Sequence, residues 1–483
     1  MAAENGGGKV MGEKTTKTEV LNQGVLLQMI RELEQEAELH SICILEEGKT
    51  VFEGAWEPFS LEVPQMMHSL SKTGTSLCVG MAVSEGKLSL TDSMLDYLQD
   101  DLPETYDPAL KKITVYDLLT MQAGSRFCAN NVWFTRLKKD WESTWLKEKR
   151  NADEIGNGFH YDSGCSYTLS RMVTKVMGKT CLELLQERVF SKMGLPEVHW
   201  LSSPEGYSTG GWGMYLTAPW IAALGELIRN NGVWSGEQLV PAAWIREMVK
   251  PRVSIPEAAG HAIDSYGYQI KTGEKLFAAE GAFGQMMIVF RDLPVVIGVT
   301  SGTASEKIAD ICQRYILEAA AVPASTEEEK AACRKKAADL HLPLPEGGAF
   351  PEELYWKLKG KKVFLDRNPR DVRWVEFDKL DDKTLQITAN IGGEKKELAA
   401  GWKTWIRNDL YPQDFTKRYH CAAYAYANGK LEVAVSLINT SYREVYTLDF
   451  MEKTASWKPN VTYLDNNDCS PRIFAMKMQE DEQ

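Results

Sequence analysis

Between residues 23 and 37 apolar side chains recur at Leu26, Ile30 and Leu33 among charged ones, the spacing of an amphipathic helix. Residues 41–45 and 50–52 then alternate as two short strands around the turn pair Glu47-Gly48. A helix followed by a hairpin thus opens a first domain, and helical and strand patterns keep alternating to about Val322. The pattern breaks there. Pro323 leads into an Ala/Glu/Lys-rich run at 326–340, and Pro343, Pro345, Gly347 and Gly348 close it, so residues 323–350 read as a linker carrying a short helix.

After Phe350 the period falls to two. Residues 362–365, 372–377, 385–389, 421–427 and 431–437 alternate, and Asn428-Gly429 is a strong hairpin turn, with Ile391-Gly392-Gly393 a second candidate. Residues 351–483 are therefore expected to form a small antiparallel β domain, following a domain at 21–322 and a polar tail at 1–20. No internal repeat appears.

Composition narrows the function classes. Hydrophobic residues are 44% and charged residues 25% of 483, an ordinary globular balance. The formal net charge of −12 opposes binding to phosphate backbones, so nucleic acid is not an expected partner. No apolar run approaches the 18 or so residues that would span a bilayer, so no membrane association is expected. Residues 1–20 lack the apolar stretch of a secretory signal. The nine cysteines are scattered, without a Cys-x-x-Cys pair, which predicts reduced thiols and a cytoplasmic location. No histidine has metal-ligand spacing, and no metal or organic cofactor is expected.

The candidate chemistry begins at Ser69-Leu70-Ser71-Lys72, a Ser-x-x-Lys placed after Pro64 and at the start of an apolar helical run. Residues three apart on a helix share a face, which brings the Lys72 amine within reach of the Ser69 hydroxyl. Serine attacks carbonyls only when a neighbouring base takes its proton, and a lysine can serve once burial lowers its pKa. A second Ser-x-x-Lys, Ser84 to Lys87, contains Gly86 and reads as a helix exit, where that geometry is not enforced.

The segments that follow resemble a known superfamily. Gly86-Lys87-Leu88-Ser89-Leu90-Thr91-Asp92, then Ile113-Thr114-Val115-Tyr116-Asp117-Leu118-Leu119, the stretch from Gly178-Lys179 to Met193-Gly194-Leu195, and Gly210-Gly211-Trp212-Gly213 resemble, in order, the class C β-lactamase and penicillin-binding-protein-like serine hydrolases and esterases. The resemblance covers about residues 23–320. It implies a β-lactamase/transpeptidase-like α/β fold, with an antiparallel sheet flanked by helices, and an acyl-enzyme formed on Ser69 with Lys72 as base. It further implies that Tyr161, in His160-Tyr161-Asp162-Ser163, shuttles the proton to the leaving group, and that Ser163 stands where the family carries asparagine.

The family's third motif, Lys-Thr-Gly, occurs literally at Lys271-Thr272-Gly273, but this triplet reads as a hairpin turn. The segment 277–289 fits the cleft strand better, which puts Ala279-Glu280-Gly281 at the motif and makes the Ala282 amide the oxyanion partner of the Ser69 amide. Ala279 offers no anion contact. Glu280 would repel a carboxylate if it faces the cleft, and is merely solvated if it does not. A neutral or cationic small-molecule ester or amide is the expected substrate, with weak β-lactamase activity. Phe127, Trp133, Phe134, Trp141, Trp145, Trp212 and Tyr215 either line an apolar pocket or pack a helical insert; Trp212 is taken here as a substrate-binding residue. Two alternatives stay open: an amidase or peptidase on small peptides or D-amino-acid amides, and a catalytically inactive scaffold. The C-terminal domain could cover the cleft, mediate homo-oligomers or bind sugar.

Overall fold

The computed structural model describes residues 21–125, 128–130, 134–303, 307–411, 418–462 and 468–479. The tail at 1–20, Phe127 and Trp133 lie outside them. The first domain opens with α1 (Gln23–Glu36), capped by the Asn22 side chain on the Val25 amide, and the hairpin β1 (Leu39–Glu46) and β2 (Lys49–Ala55). Next come α2 (Ser71–Ser84), α3 (Ser163–Met177) and α4 (Ala218–Arg229). The chain then returns as six strands: β3 (Val253–Ser254), β4 (Ser265–Tyr266), β5 (Lys271–Thr272), β6 (Leu276–Gly281), β7 (Gln285–Phe290) and β8 (Val295–Ser301). The antiparallel sheet has the order β3-β4-β5-β6-β7-β8-β1-β2, so the N-terminal hairpin completes a sheet built mostly from the far end of the domain.

Strand alternation sorts its residues between two cores. Phe277, Ala279, Met287 and Val289 enter the cluster shared with α2 and α3; Leu276, Ala278, Ile288 and Val299 enter the one shared with α1 and with α5 (Lys307–Ala321). Helix α2 is buried from Ser71 to Ala82, on all faces, which explains a run rich in small residues rather than an amphipathic stripe.

Residues 323–350 are less of a spacer than their composition predicts. Helix α6 (Glu327–Ala338), with a capping box at Thr326 and Glu329, packs on α1, and Cys333, Leu340 and Leu342 join the first-domain core. At about 1.5–3 kcal/mol per fully buried aliphatic side chain, Leu340 and Leu342 are enough to hold the segment down. Farther on, Gly348 bridges to Tyr426, and Phe350 enters a third core, that of the C-terminal domain.

Helix α7 (Glu352–Leu358) leads into β9 (Val363–Leu365), β10 (Val372–Lys379), β11 (Thr384–Ile391), β12 (Glu394–Trp402), β13 (Ile406–Tyr411), β14 (Arg418–Ala427), β15 (Lys430–Leu437), β16 (Arg443–Asp449), β17 (Thr454–Pro459) and β18 (Arg472–Met478). These form a sheet ordered β12-β11-β10-β9-β18-β17-β16-β15-β14-β13, and a parallel β12–β14 contact at Gly401–Ala423 and Trp402–Tyr424 closes it into a barrel. The β15–β16 loop, residues 438–442, reaches the first domain. Asn439 donates to the Pro64 carbonyl (3.2 Å) and accepts from the Met66 amide (2.9 Å), and the Ser441 hydroxyl accepts from Gln285 Nε2 (2.9 Å). Beside them Arg443 pairs with Glu38, Nε to Oε2 3.0 Å.

Candidate active site

Ser69 sits in a single 3₁₀ turn, His68–Leu70, immediately ahead of α2 rather than inside it. The turn runs directly into α2, so Ser69 and Lys72, three residues apart, stay on one face. His68 holds the left-handed conformation (φ 46°), which a non-glycine residue adopts at a cost. Its ring packs edge-on against Phe283 (5.3 Å), itself left-handed (φ 65°) in the β6–β7 turn, and Phe283 in turn meets Tyr442 of the β domain at 5.8 Å. Burial drives the His68 pKa down to about 4, so the imidazole is neutral beside Ser69.

Three groups converge. Lys72 Nζ lies 3.1 Å from Ser69 Oγ, and the Tyr161 hydroxyl donates to the same oxygen at 2.6 Å. Lys72 is 2% exposed and also donates to Ser163 Oγ (3.0 Å) and the Gly211 carbonyl (2.8 Å), with its nitrogen 4.8 Å from the Tyr161 ring centroid. Burial lowers its pKa from 10.5 to about 7. A neutral amine fits these contacts well: two N–H bonds go to Ser163 and Gly211, leaving a lone pair aimed at Ser69.

Tyr161 is held by the residue after it. Asp162 caps α3 and accepts from the Gly164 amide (2.8 Å), the Ala129 amide (3.1 Å) and Trp145 Nε1 (2.9 Å), and from the Ser125 hydroxyl. Four donors on one buried carboxylate lock the loop. A Cβ on Gly164 would stand 2.0 Å from Trp145 Nε1, which is why only glycine admits that indole.

On the opposite wall, β6 ends at Gly281, with Ala282 just beyond it, against the Ser69 turn: a Cβ on Gly281 would sit 2.0 Å from the Met67 carbonyl. The cleft between has a volume of about 360 Å³, and Ser69, Lys72, Tyr161, Phe159, Tyr266, Ala279, Glu280, Gly281 and Ala282 border it. Glu280 faces this cleft, where Lys271 Nζ from β5 donates to its carboxylate. The Lys-Thr-Gly triplet thus starts on a strand, with Lys271 opposite Ala278, and its lysine enters the cleft although the triplet does not occupy the cleft strand.

Trp212 departs from expectation. It is 3% exposed, stacked on Phe134 (5.3 Å) and Trp141 (5.7 Å), and does not border the cleft. Phe134, Trp141, Trp145 and Tyr215 are buried likewise, so these aromatics pack the helical region; Phe159 and Tyr266 are the ones that line the cleft. Trp212 is near the site only through its backbone neighbour Gly211, whose carbonyl binds Lys72. Sequence reasoning missed Asp162, Gly211 and Lys271. Aspartate just before a helix is a capping signal that could have found the first; a backbone carbonyl and a cross-strand lysine carry no such signal.

Among known proteins, the family described as Beta-lactamase matches residues 28–321. The lovastatin esterase of Penicillium rubens is 23% identical over 171 residues, which are 31% of this chain and 42% of that protein, so the chain spans well under half of this curated relative. Among solved structures, a protein assigned as a 6-aminohexanoate-dimer hydrolase from Bacillus anthracis superposes with TM-score 0.52 at 22% identity, covering 60% of this chain and 81% of that one. A family VIII carboxylesterase does so with TM-score 0.50 at 16% identity, covering 62% and 96%. At these identities the structural likeness speaks for the fold.

Proposed function

Because the chain belongs to the beta-lactamase family, we propose that it is a serine hydrolase that cleaves a small ester, or an amide, through an acyl-enzyme on Ser69. The observation that carries this reading is the convergence of Lys72 Nζ and Tyr161 Oη on Ser69 Oγ, at 3.1 and 2.6 Å. Neutral Lys72 takes the hydroxyl proton as Ser69 attacks the carbonyl carbon. The amides of Ser69 and Ala282, on facing walls of the cleft, hold the oxyanion, worth on the order of 10²–10³ in rate for one such donor. Tyr161 carries the proton to the leaving alcohol or amine, and water then attacks the acyl carbon with the same groups acting in reverse. Ser163 keeps the hydrogen bond to Lys72 but has a shorter reach into the cleft than an amide side chain.

The Glu280–Lys271 pair sets the substrate charge. A carboxylate on the substrate must compete with Glu280 for Lys271, so anionic β-lactams and peptide termini gain little from that cation. Uncharged esters lose nothing. The esterase reading is favoured over the amidase reading by the curated relative, an esterase. A panel of p-nitrophenyl esters and matched anilides, with a fluorophosphonate probe, tests it: Ser69→Ala should abolish both labelling and turnover. Turnover that survives Ser69→Ala, or nitrocefin hydrolysis at kcat/KM of ~10⁴ M⁻¹s⁻¹ or more, within the ordinary range for enzymes, would refute it.

A further inference from the structure

The C-terminal barrel is hollow. Nine strands, β9–β12 and β14–β18, close the ring, whereas about eight already leave room for one small ligand when side chains do not fill the interior. One end is filled: Phe350 packs at a tilt against Phe377 (5.7 Å), and Tyr355 and Leu358 of α7 pack with it. Above this plug the lining mixes small side chains, Ala389, Ala455, Val433 and Val435 among them, with larger ones such as Ile387, Leu398 and Phe474, and a cavity of about 510 Å³ remains. A cavity of roughly 150 Å³ already holds a benzene, and drug-sized sites run from about 300 Å³. A barrel serving only as a scaffold would gain stability by filling that space, since each missing methylene costs dispersion contacts.

Polar groups gather at the other end. Glu444, 5% exposed, accepts from Arg370 Nε (3.1 Å) and from the Tyr446 hydroxyl (2.6 Å). Farther around the rim, Asp371 pairs with Arg373 (3.4 Å) and Lys396 with Glu394 (2.5 Å). Arg370 and Glu444 thus meet each other, Asp371 and Lys396 are paired with neighbours outside the lining, and Glu397 and His420 also border the cavity, so the rim offers hydrogen bonds from mostly paired groups. An apolar shaft under a mostly paired polar rim suits an apolar chain with an uncharged polar end.

We propose that the barrel cavity is a second ligand site, distinct from the Ser69 cleft, for a single-chain apolar molecule ending in an uncharged polar head such as an alcohol or ester. The chain lies along Val433, Val435, Ala389 and Ala455, and the head exchanges hydrogen bonds with the Arg370–Glu444–Tyr446 group. Nothing in this depends on hydrolysis at Ser69.

Fluorescence of N-phenyl-1-naphthylamine added to the full chain reads the site. The expected result is saturable uptake of one probe per chain, displaced by 1-dodecanol more tightly than by dodecanoate or dodecylamine. Val435→Trp and Ala389→Trp fill the shaft, and each should weaken uptake at least tenfold while the circular dichroism and thermal midpoint stay near wild type. On the wild-type chain, hydrogen exchange should show dodecanol protecting residues 433–437 and 444–448, a readout that stands even if neither filling variant folds. Absence of uptake, undiminished uptake in a folded filling variant, or protection confined to residues 255–282 at the cleft would each overturn the site. Tighter displacement by dodecanoate or dodecylamine would overturn the uncharged head.

Discussion

Replacing Lys72 by Met leaves the volume of the side chain nearly unchanged and removes a buried amine whose pKa burial has lowered from 10.5 to about 7. The unfolded chain holds this lysine charged up to pH 10.5, whereas the folded chain releases the proton from about pH 7, so the depressed value costs stability until the unfolded form also deprotonates. Stability due to this group is therefore complete only above pH 10.5, is lost progressively as pH falls from there, and is all but gone by about pH 7. By linkage the cost is about 4 kcal/mol at pH 7 and about 2 kcal/mol at pH 9. Lys72→Met also strands the Ser163 hydroxyl and the Gly211 carbonyl, at about 1–3 kcal/mol each, but that penalty is independent of pH. The difference in unfolding free energy between wild type and variant should thus change by about 2 kcal/mol in favour of wild type from pH 7 to pH 9. Urea unfolding of both proteins at pH 7, 8 and 9 measures it. Ester turnover should fall in the variant by ~10²–10⁴, the usual worth of a positioned base. Stability curves that run parallel across this interval would refute the burial of a titrating amine at residue 72, and with it the account of how Ser69 is activated.

Tyr161→Phe should lower kcat by about 10²-fold with little change in KM, and more steeply for ethyl than for p-nitrophenyl esters, because only a poor leaving group needs the proton; equal losses across leaving groups would exclude the shuttle role. Glu280→Gln frees Lys271 in the cleft, so kcat/KM for a hemisuccinate ester should rise about tenfold while that for a neutral ester of the same alcohol stays within twofold, measured at low ionic strength. Trp212→Ala should destabilise the chain by about 3–5 kcal/mol in urea unfolding, as large aromatic truncations in cores do, without altering KM; a raised KM at unchanged stability would return Trp212 to the cleft.

Much of this site was legible because its groups lie close in sequence or in a recognisable order. Ser69 and Lys72 are one turn apart, and Tyr161 lies in a segment recognisable by its resemblance and its order in the chain. The cleft strand was legible from the resemblance of residues 277–289 to the family's strand, and the structure then places Phe277 and Ala279 on one face and Leu276 and Ala278 on the other. What escaped depends on register between strands and on packing. Lys271 reaches Glu280 because β5 pairs Lys271 with Ala278, a relation no local pattern encodes. Trp212 was misjudged because an indole beside a functional glycine looks the same in sequence whether it stacks on Phe134 or borders a cleft. The packed helix at 327–338 was hidden by its composition: only Cys333 of that helix is buried, and its docking relies on Leu340 and Leu342 just beyond.

The contact of residues 438–442 with Met66 and Gln285 bears on when this protein can begin to work. A ribosome delivers residues 65–69 and 281–285 well before it reaches Asn439 and Ser441, so the nascent chain spends that interval with the Ser69 turn unbraced. Ester turnover would then switch on late in synthesis, when the last brace is threaded into place. A chain stalled on the ribosome at residue 430 should be silent toward esters even though every residue bordering the cleft has already been made.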